Sequence, residues 1–523
     1  MPARSLQPRL AHVPFALAAA LLALVLMAPA ASAAALPGAR ISADQIAQPA
    51  DYPGIQHLHY EFGPIDITPG QNTIEARPND LKPDVPGYIT RFAPNLVYAD
   101  TRQVPRVDVI HLHHGVWLMN GYPTFAAGEE KTTFNSPPGY GYHFDPKDNW
   151  IMNYMIHNLT SQPTRVFITY DIDFVPDSEA AAQSITPVHP MWMDVSGIKP
   201  YPVFDAIKGA GRKGKFTFPD QASAAQRADI GPAHEAFPSK DITLVGTAGH
   251  LHPGGLWTDL TTTRGGVTKE LFRSVAKYFE PAGAVSWDVS MTATKPDWRI
   301  AVKKGDHLKV SATYETRTVS WYESMGIMVL FYADGIRPDA VDPFTSPVDT
   351  TGILTHGHLH ENDNHGGTGT GLPDARRLLA GASTTKIAIQ NFLYGRGDLS
   401  LGGVAGRPPV VRAGKSLTFT NLDATISMPS QKSAYHTITA CKAPCTGTVG
   451  IAYPLANAKV QFDSGELGYG PSLGPFKFTP AAQRNVWKTP KNLAAGTYTY
   501  FCRIHPFMRG SFRVVSGGRA KKK

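Results

Sequence analysis

The chain has 523 residues, 42% of them hydrophobic and 18% charged, a balance that excludes wholesale disorder and leaves room for about three domains. Its 48 glycines and 44 prolines put turn residues throughout, which favours a β-rich architecture over a helical bundle. The net charge of +8 falls to about +2 once Arg4, Arg9 and the tail residues Arg519, Lys521, Lys522 and Lys523 are set aside, and no basic stripe remains to suggest a nucleic-acid partner.

Residues 1–33 read as a secretory signal. Arg4 and Arg9 precede an apolar run from Phe15 to Met27, and Ala31-Ser32-Ala33 fits a signal-peptidase site, so the mature chain is expected to begin at Ala34. No later segment stays apolar over the roughly 18 residues that a span needs. An exported protein, periplasmic or extracellular, with no membrane span in its mature form is therefore expected. Residues 34–55 read as an N-terminal linker. Residues 56–176 alternate apolar and polar over short runs, as in Arg106–Leu118 and Trp150–Val175, and read as a first β-sandwich. Residues 177–340 read as a second. It opens on a proline-rich crossing and carries strands at Ile242–Ala248, Ala284–Thr292, Leu308–Tyr314 and Met325–Tyr332. The best helix signals are Ala222–Ala228 and Thr268–Tyr278. Residues 341–383, rich in Gly, Asp, Asn and His, read as a linker, 384–517 as a third β unit and 518–523 as a basic tail.

Cysteine is confined to that third unit, at Cys441, Cys445 and Cys502. Residues 34–440 must therefore be held by their core rather than by disulfides. Cys441 and Cys445 are close enough to pair locally; free thiols or a further metal site are the alternatives. Cys502 is left odd, and in an exported protein a metal is a good reason for that. The 19 histidines cluster: His57 and His59; His111, His113 and His114; His250 and His252; His356, His358, His360 and His365.

Gly496–Phe501 alternates as a strand and runs into Cys502-Arg503-Ile504-His505-Pro506-Phe507-Met508, and His436 lies in another β-type run upstream. A soft thiolate, two imidazoles and a thioether are the donors of a mononuclear blue (type 1) copper site. Three donors on one tight loop restrict geometric change between the copper oxidation states, which suits electron transfer. Residues 384–517 resemble the cupredoxins, of the amicyanin and plastocyanin type. The loop has the Cys-x-x-His-Pro-x-Met-Arg-Gly pattern of the amicyanins, and Val411 to Asn421, His436-Thr437 and Phe462-Asp463-Ser464-Gly465 also match. The Thr425–Ala434 stretch is longer than the family pattern, and the Cys441/Cys445 pair is outside it. The resemblance implies a Greek-key β-sandwich holding copper through His436, Cys502, His505 and Met508.

In a strand, residues two apart face the same way, so His250 and His252 can point at one ion. Met325, in a later strand, offers a softer third donor, and such a set suits copper. His113 and His114 are consecutive and need a twist or bulge to share an ion, with His157 as third imidazole. His111 shares a face with His113, so His111, His113 and His157 remain an alternative set. The order His-His, His, His-x-His, Met resembles the copper type II, ascorbate-dependent monooxygenases, the peptidylglycine and dopamine hydroxylating enzymes. Pro137–Phe144 and Met325–Tyr332 carry the likeness too. It implies that His113, His114 and His157 bind an electron-storing copper. It further implies that His250, His252 and Met325 form the catalytic copper site for dioxygen, and that two jelly-roll sandwiches face each other across a solvent gap. The family's disulfides are missing, and Ala248 stands where the peptide-amidating enzymes carry an arginine.

The expected fold is thus all-β: two tandem jelly-roll sandwiches followed by a cupredoxin sandwich. The expected function is an exported copper monooxygenase hydroxylating a C–H bond of a small-molecule or peptide substrate. It would use one type 1 copper and two further mononuclear coppers, with ascorbate as a candidate reductant and a redox partner protein or small reductant as electron source. A non-catalytic copper-binding, electron-transfer or copper-handling protein is the alternative, which the histidine-rich linker suits. A multicopper oxidase is disfavoured, because Phe501 and Arg503 flank Cys502 where that class has histidines. His57 and His59 read as structural.

Overall fold

The computed structural model describes residues 46–516, except 71–73, 199–201, 233, 281–282, 286, 364–371, 425–433, 442–443, 446–454, 456–459, 469–471, 474–475 and 478–483. The signal segment, Ala34, the basic tail, His365 and most of the stretch before His436 lie outside the described residues. Strands dominate the rest, and the chain is all-β. The helical elements described include Ala224–Ala228 and three short 3-10 turns. Ser223 caps that helix, with Gln226 completing a capping box.

The second expected helix is a strand. Val267–Tyr278 pairs with Gly255–Arg264 on one side and with Val289–Thr294 on the other. The reason is local: Gly265 and Gly266 both take positive φ, 57° and 79°, and close a two-residue hairpin between Arg264 and Val267. That turn commits the following residues to the sheet, where Leu271, Phe272 and Ser274 are buried. The hairpin overrides the helical spacing of the apolar residues.

Two sheets make the first β unit. One carries Gln56–Ile67, Thr164–Pro176, Gly87–Tyr98 and Tyr140–Phe144; the other carries Ile74–Pro78, Trp150–Asn158, Ile110–Met119 and Tyr122–Gly128. Phe92 stacks on Phe125 at 4.5 Å in the core between them. The second unit is built on an eleven-stranded sheet in which Ile242–Leu251 pairs with Gly326–Asp334, and that strand with His189–Asp194. The third unit has two four-stranded sheets, one with Lys386–Gln390 and Thr418–Asn421, the other with Thr439–Cys441, Gly496–Phe501 and Arg509–Val515. Cys441 and Cys445 are bridged, and Cys502 is free and buried.

The units share cores. Val245, Phe331 and Ala333 of the second join the first unit's apolar cluster, with the Phe331 ring 4.2 Å from Phe134. The expected solvent gap is thus closed by apolar contact here. Burying a large apolar side chain contributes roughly 1.5–3 kcal/mol, which a water-filled gap would forgo. Cys441, Cys445, Leu455 and Phe501 likewise join the second unit's core. Within the segment read as a linker, Gly352–Leu354 adds a strand to Val289–Thr294, and Lys131 pairs with Glu361 at 2.6 Å.

Candidate metal centres

The strand Gly496–Phe501 delivers Cys502 to a tight loop that returns as Arg509–Val515. Two backbone bonds close the loop: Cys502 N–H donates to the Met508 carbonyl (3.1 Å) and Met508 N–H to that of His505 (2.9 Å). Cys502 Sγ then lies 3.8 Å from His436 Nδ1 and 3.7 Å from His505 Nδ1, and the two nitrogens are 3.1 Å apart. The amides of Thr437 and His505 donate to the sulfur at 3.3 and 3.4 Å. Burial would raise the Cys502 thiol, but the two imidazoles outweigh it and hold it well below the usual value. Met508 is buried in the same apolar cluster as Cys502. The structure therefore brings His436, Cys502 and His505 into one buried donor set, with Met508 packed in the core around it.

Outer partners orient both rings, and sequence reasoning missed them. Asp423 Oδ2 accepts from His436 Nε2 at 2.9 Å, and the Gly70 carbonyl accepts from His505 Nε2 at 2.9 Å. Each bond turns Nδ1 toward the sulfur. Burial pulls the His436 imidazole down, but Asp423 and Cys502 outweigh it and hold it at about 9. A cation at this point would replace the proton held between sulfur and imidazole. Gly70 is remote in sequence from the loop that it caps, so no local signal marks it.

The other histidines are grouped differently from the expectation. A bulge does fall at His113, since the pairing of Ile110–Met119 with Trp150–Asn158 shifts register between Leu112 and His114. His113 and His114 nevertheless part company. The His113 ring packs 4.4 Å from His157 and 4.4 Å from His252, whereas His114 Nε2 turns to Asn153 Oδ1 at 2.9 Å. His113, His157 and His252 line one pocket; His114 and His250 line another.

Tautomers follow from the acceptors. His111 Nδ1 donates to the Val107 carbonyl (2.5 Å), which leaves its Nε2 bare to accept from His157 Nδ1 at 3.1 Å. His157 Nε2 then carries a lone pair, is buried and has no hydrogen-bond partner. His252 Nδ1 donates to the Glu323 carbonyl at 2.7 Å, and its Nε2 is bare and unpartnered as well. Burial pushes His113, His157 and His252 well below the usual imidazole value, with the neighbouring rings adding to it. Three neutral imidazoles thus converge on one pocket. His111 has both nitrogens engaged, one with the Val107 carbonyl and one with His157.

Two carboxylates complete the neighbourhood. Glu129 and Glu130 follow the strand Tyr122–Gly128 and are each 1% exposed. Their sequence context, a charged Glu-Glu-Lys turn, reads as solvated surface and gave no signal of burial. Glu130 Oε2 accepts from His250 Nδ1 at 2.8 Å, leaving His250 Nε2 bare. Burial first, then Glu130, raises the Glu129 carboxyl well above the usual value. Met325 N–H lies 3.3 Å from the Tyr314 hydroxyl, which also receives the His252 amide at 3.0 Å. The Met325 side chain sits in an apolar cluster with Met155, Trp192, Val203 and Ile327.

Four other histidines have hydrogen-bond partners within the fold. His57 and His59 meet Asp173 and Asp171 at 2.7 and 2.6 Å. His356 Nε2 reaches the Glu130 carbonyl at 2.5 Å, and His358 contacts Asp288 and Asp363.

No protein-family model and no curated protein matches the chain. Among solved structures, a purple cupredoxin from Nitrosopumilus maritimus aligns over 25% of this chain and 100% of its own, at 18% identity and TM-score 0.14. A copper-containing nitrite reductase from Thermus scotoductus aligns over 54% and 59% (11% identity, TM-score 0.16). PNGase F, a glycosylasparaginase from Flavobacterium meningosepticum, aligns over 54% and 97% (9% identity, TM-score 0.27). At such scores the likenesses carry no argument about function; the residues do. Among the described residues no helix is long and apolar enough to cross a membrane.

Proposed function

We propose that this chain is an exported copper-dependent oxidoreductase. In this reading a blue-type centre of His436, Cys502, His505 and Met508 feeds electrons to copper held by His113, His157 and His252, and the reaction is hydroxylation of a C–H bond by dioxygen. One observation carries it: Arg503 and Ile504, between two donors of the blue-type centre, line the same pocket as the three imidazoles. The two centres are thus joined through a few residues of one chain. Copper between bare imidazoles would supply one-electron chemistry toward dioxygen. Hydroxylation puts one oxygen atom into product and the other into water, and takes two electrons and two protons. Glu466 lines this pocket and can hold one of those protons, because burial, then Glu323 and Asp205, raises its carboxyl well above the usual value. On the other side, His114, His250 and Glu130 border a cavity of about 120 Å³ walled by Phe125, Trp192, Ile327 and Val329. That volume suits a small apolar group, since a cavity of about 150 Å³ takes benzene.

The test is oxygen uptake by the copper-loaded full chain with ascorbate. Uptake is expected, and Cys502→Ser, which removes the blue band, should slow it. A chain that holds copper at both centres yet consumes no oxygen would leave the copper-handling alternative in its place.

A further inference from the structure

We propose that Glu129 is a metal ligand shared between two ions, one held by His113, His157 and His252, the other by His250 with Glu130. The inference rests on the three-imidazole position of the preceding section and adds a second ion beside it. Two donor groups meet at this residue. His113, Glu129 and His252 offer ligand atoms within 4.8 Å of one another, and so do Glu129, Glu130 and His250. A carboxylate has two oxygens, enough for one on each side. The His250 and His252 rings lie 5.1 Å apart, so both positions fall within reach of one bridging group.

The surroundings of Glu129 suit a carboxylate that faces cations. Its side chain is 1% exposed, and neither oxygen has a hydrogen-bond partner. Two histidine nitrogens face it without bonding to it, His113 Nε2 at 3.7 Å and His111 Nε2 at 3.9 Å. The second of these is a lone pair by the tautomer argument, so it cannot donate to the carboxylate. Ligands held about 2.0–2.2 Å from one ion lie roughly 3–4 Å apart, which matches the His113–Glu129 separation. On the second side Glu130 fixes His250 through Nδ1, and the bare Nε2 is left unpartnered. One imidazole with carboxylates is a harder donor set than three imidazoles, and it suits a divalent first-row ion.

Copper(II) is added to the metal-free full-length protein, and copper per chain is counted beside the EPR spectrum. The blue band and near-ultraviolet circular dichroism report that each variant is folded. The wild type should hold two non-blue ions that are magnetically coupled, so that the blue ion gives most of the EPR intensity. Glu129→Gln should release one of the two and leave the other with an isolated, uncoupled signal, while Glu129→Asp should retain part of the second ion. A wild type with a single non-blue ion overturns the sharing, as do two ions that are uncoupled or unaffected by Glu129→Gln; both results leave the three-imidazole reading standing. A wild type with no non-blue copper removes that reading as well.

Discussion

His157, His250 and His252 present bare Nε2 atoms for one physical reason: each Nδ1 proton is committed to an acceptor, respectively His111, Glu130 and the Glu323 carbonyl. His157 and His252, buried and neutral, have exchanged hydration for a geometry that a cation completes. Glu466 is the acidic counterpart, with both oxygens buried and unpartnered. Its folded-state pKa lies above the unfolded value of about 4.3, so over that window the unfolded chain has lost a proton that the folded chain keeps. Stability therefore falls as pH rises from there toward the folded pKa, by up to about 1.4 kcal/mol per pH unit, and the loss is absent at lower pH. Glu466→Gln should flatten that slope. Denaturant unfolding of the metal-free protein at mildly acidic and mildly alkaline pH measures it, and parallel pH profiles for the two proteins would refute the assignment.

Strand geometry brings the groups together. The alternation in Arg106–Leu118 and the strand at Ile242–Ala248 were legible, and so was the need for a bulge near His113. The two-glycine turn at Gly265-Gly266 is a local hairpin signal, and in the fold it outweighs the helical spacing of Thr268–Tyr278. Gly128 is subtler. A Cβ there would meet His250 Cε1 at 2.5 Å, Glu130 Oε2 at 2.8 Å and the His113 carbonyl at 2.9 Å, so the strand Tyr122–Gly128 approaches His250 only because that atom is missing. Gly128→Ala should displace His250 and lower non-blue copper binding by roughly 10-fold or more while the blue band persists. Copper titration followed by EPR checks this; unchanged affinity would show that His250 needs no such close packing.

At the scale of the molecule, the donor set of His436, Cys502 and His505 is turned inward. His505 is 1% exposed and its outer nitrogen is capped by the Gly70 carbonyl, so in the proposed reading this imidazole faces the N-terminal half of the same chain. Gly70 takes φ +65°, and a Cβ would lie 2.5 Å from Phe392 Cε1 and 3.0 Å from His505 Cδ2. Gly70→Ala should loosen the cap and slow reoxidation of the reduced blue centre by dioxygen, read by stopped-flow at the blue band. Equal rates in the two proteins would place the electron route elsewhere.

That Cys502, His505 and Met508 lie close together was readable because they share one seven-residue loop, where chain connectivity itself sets their separation. The all-β class was readable because alternation and turn chemistry are local. Which histidines share a pocket was not, since parity along a strand says which residues face together and not which strand of another sheet lies opposite. Packing of Val245, Phe331 and Ala333 into the first unit's core decides that, and with it the pairing of His113 with His252 rather than with His114. The burial of Glu129 and Glu130 was decided at the same step, because a charged turn becomes interior only when a second sheet closes over it.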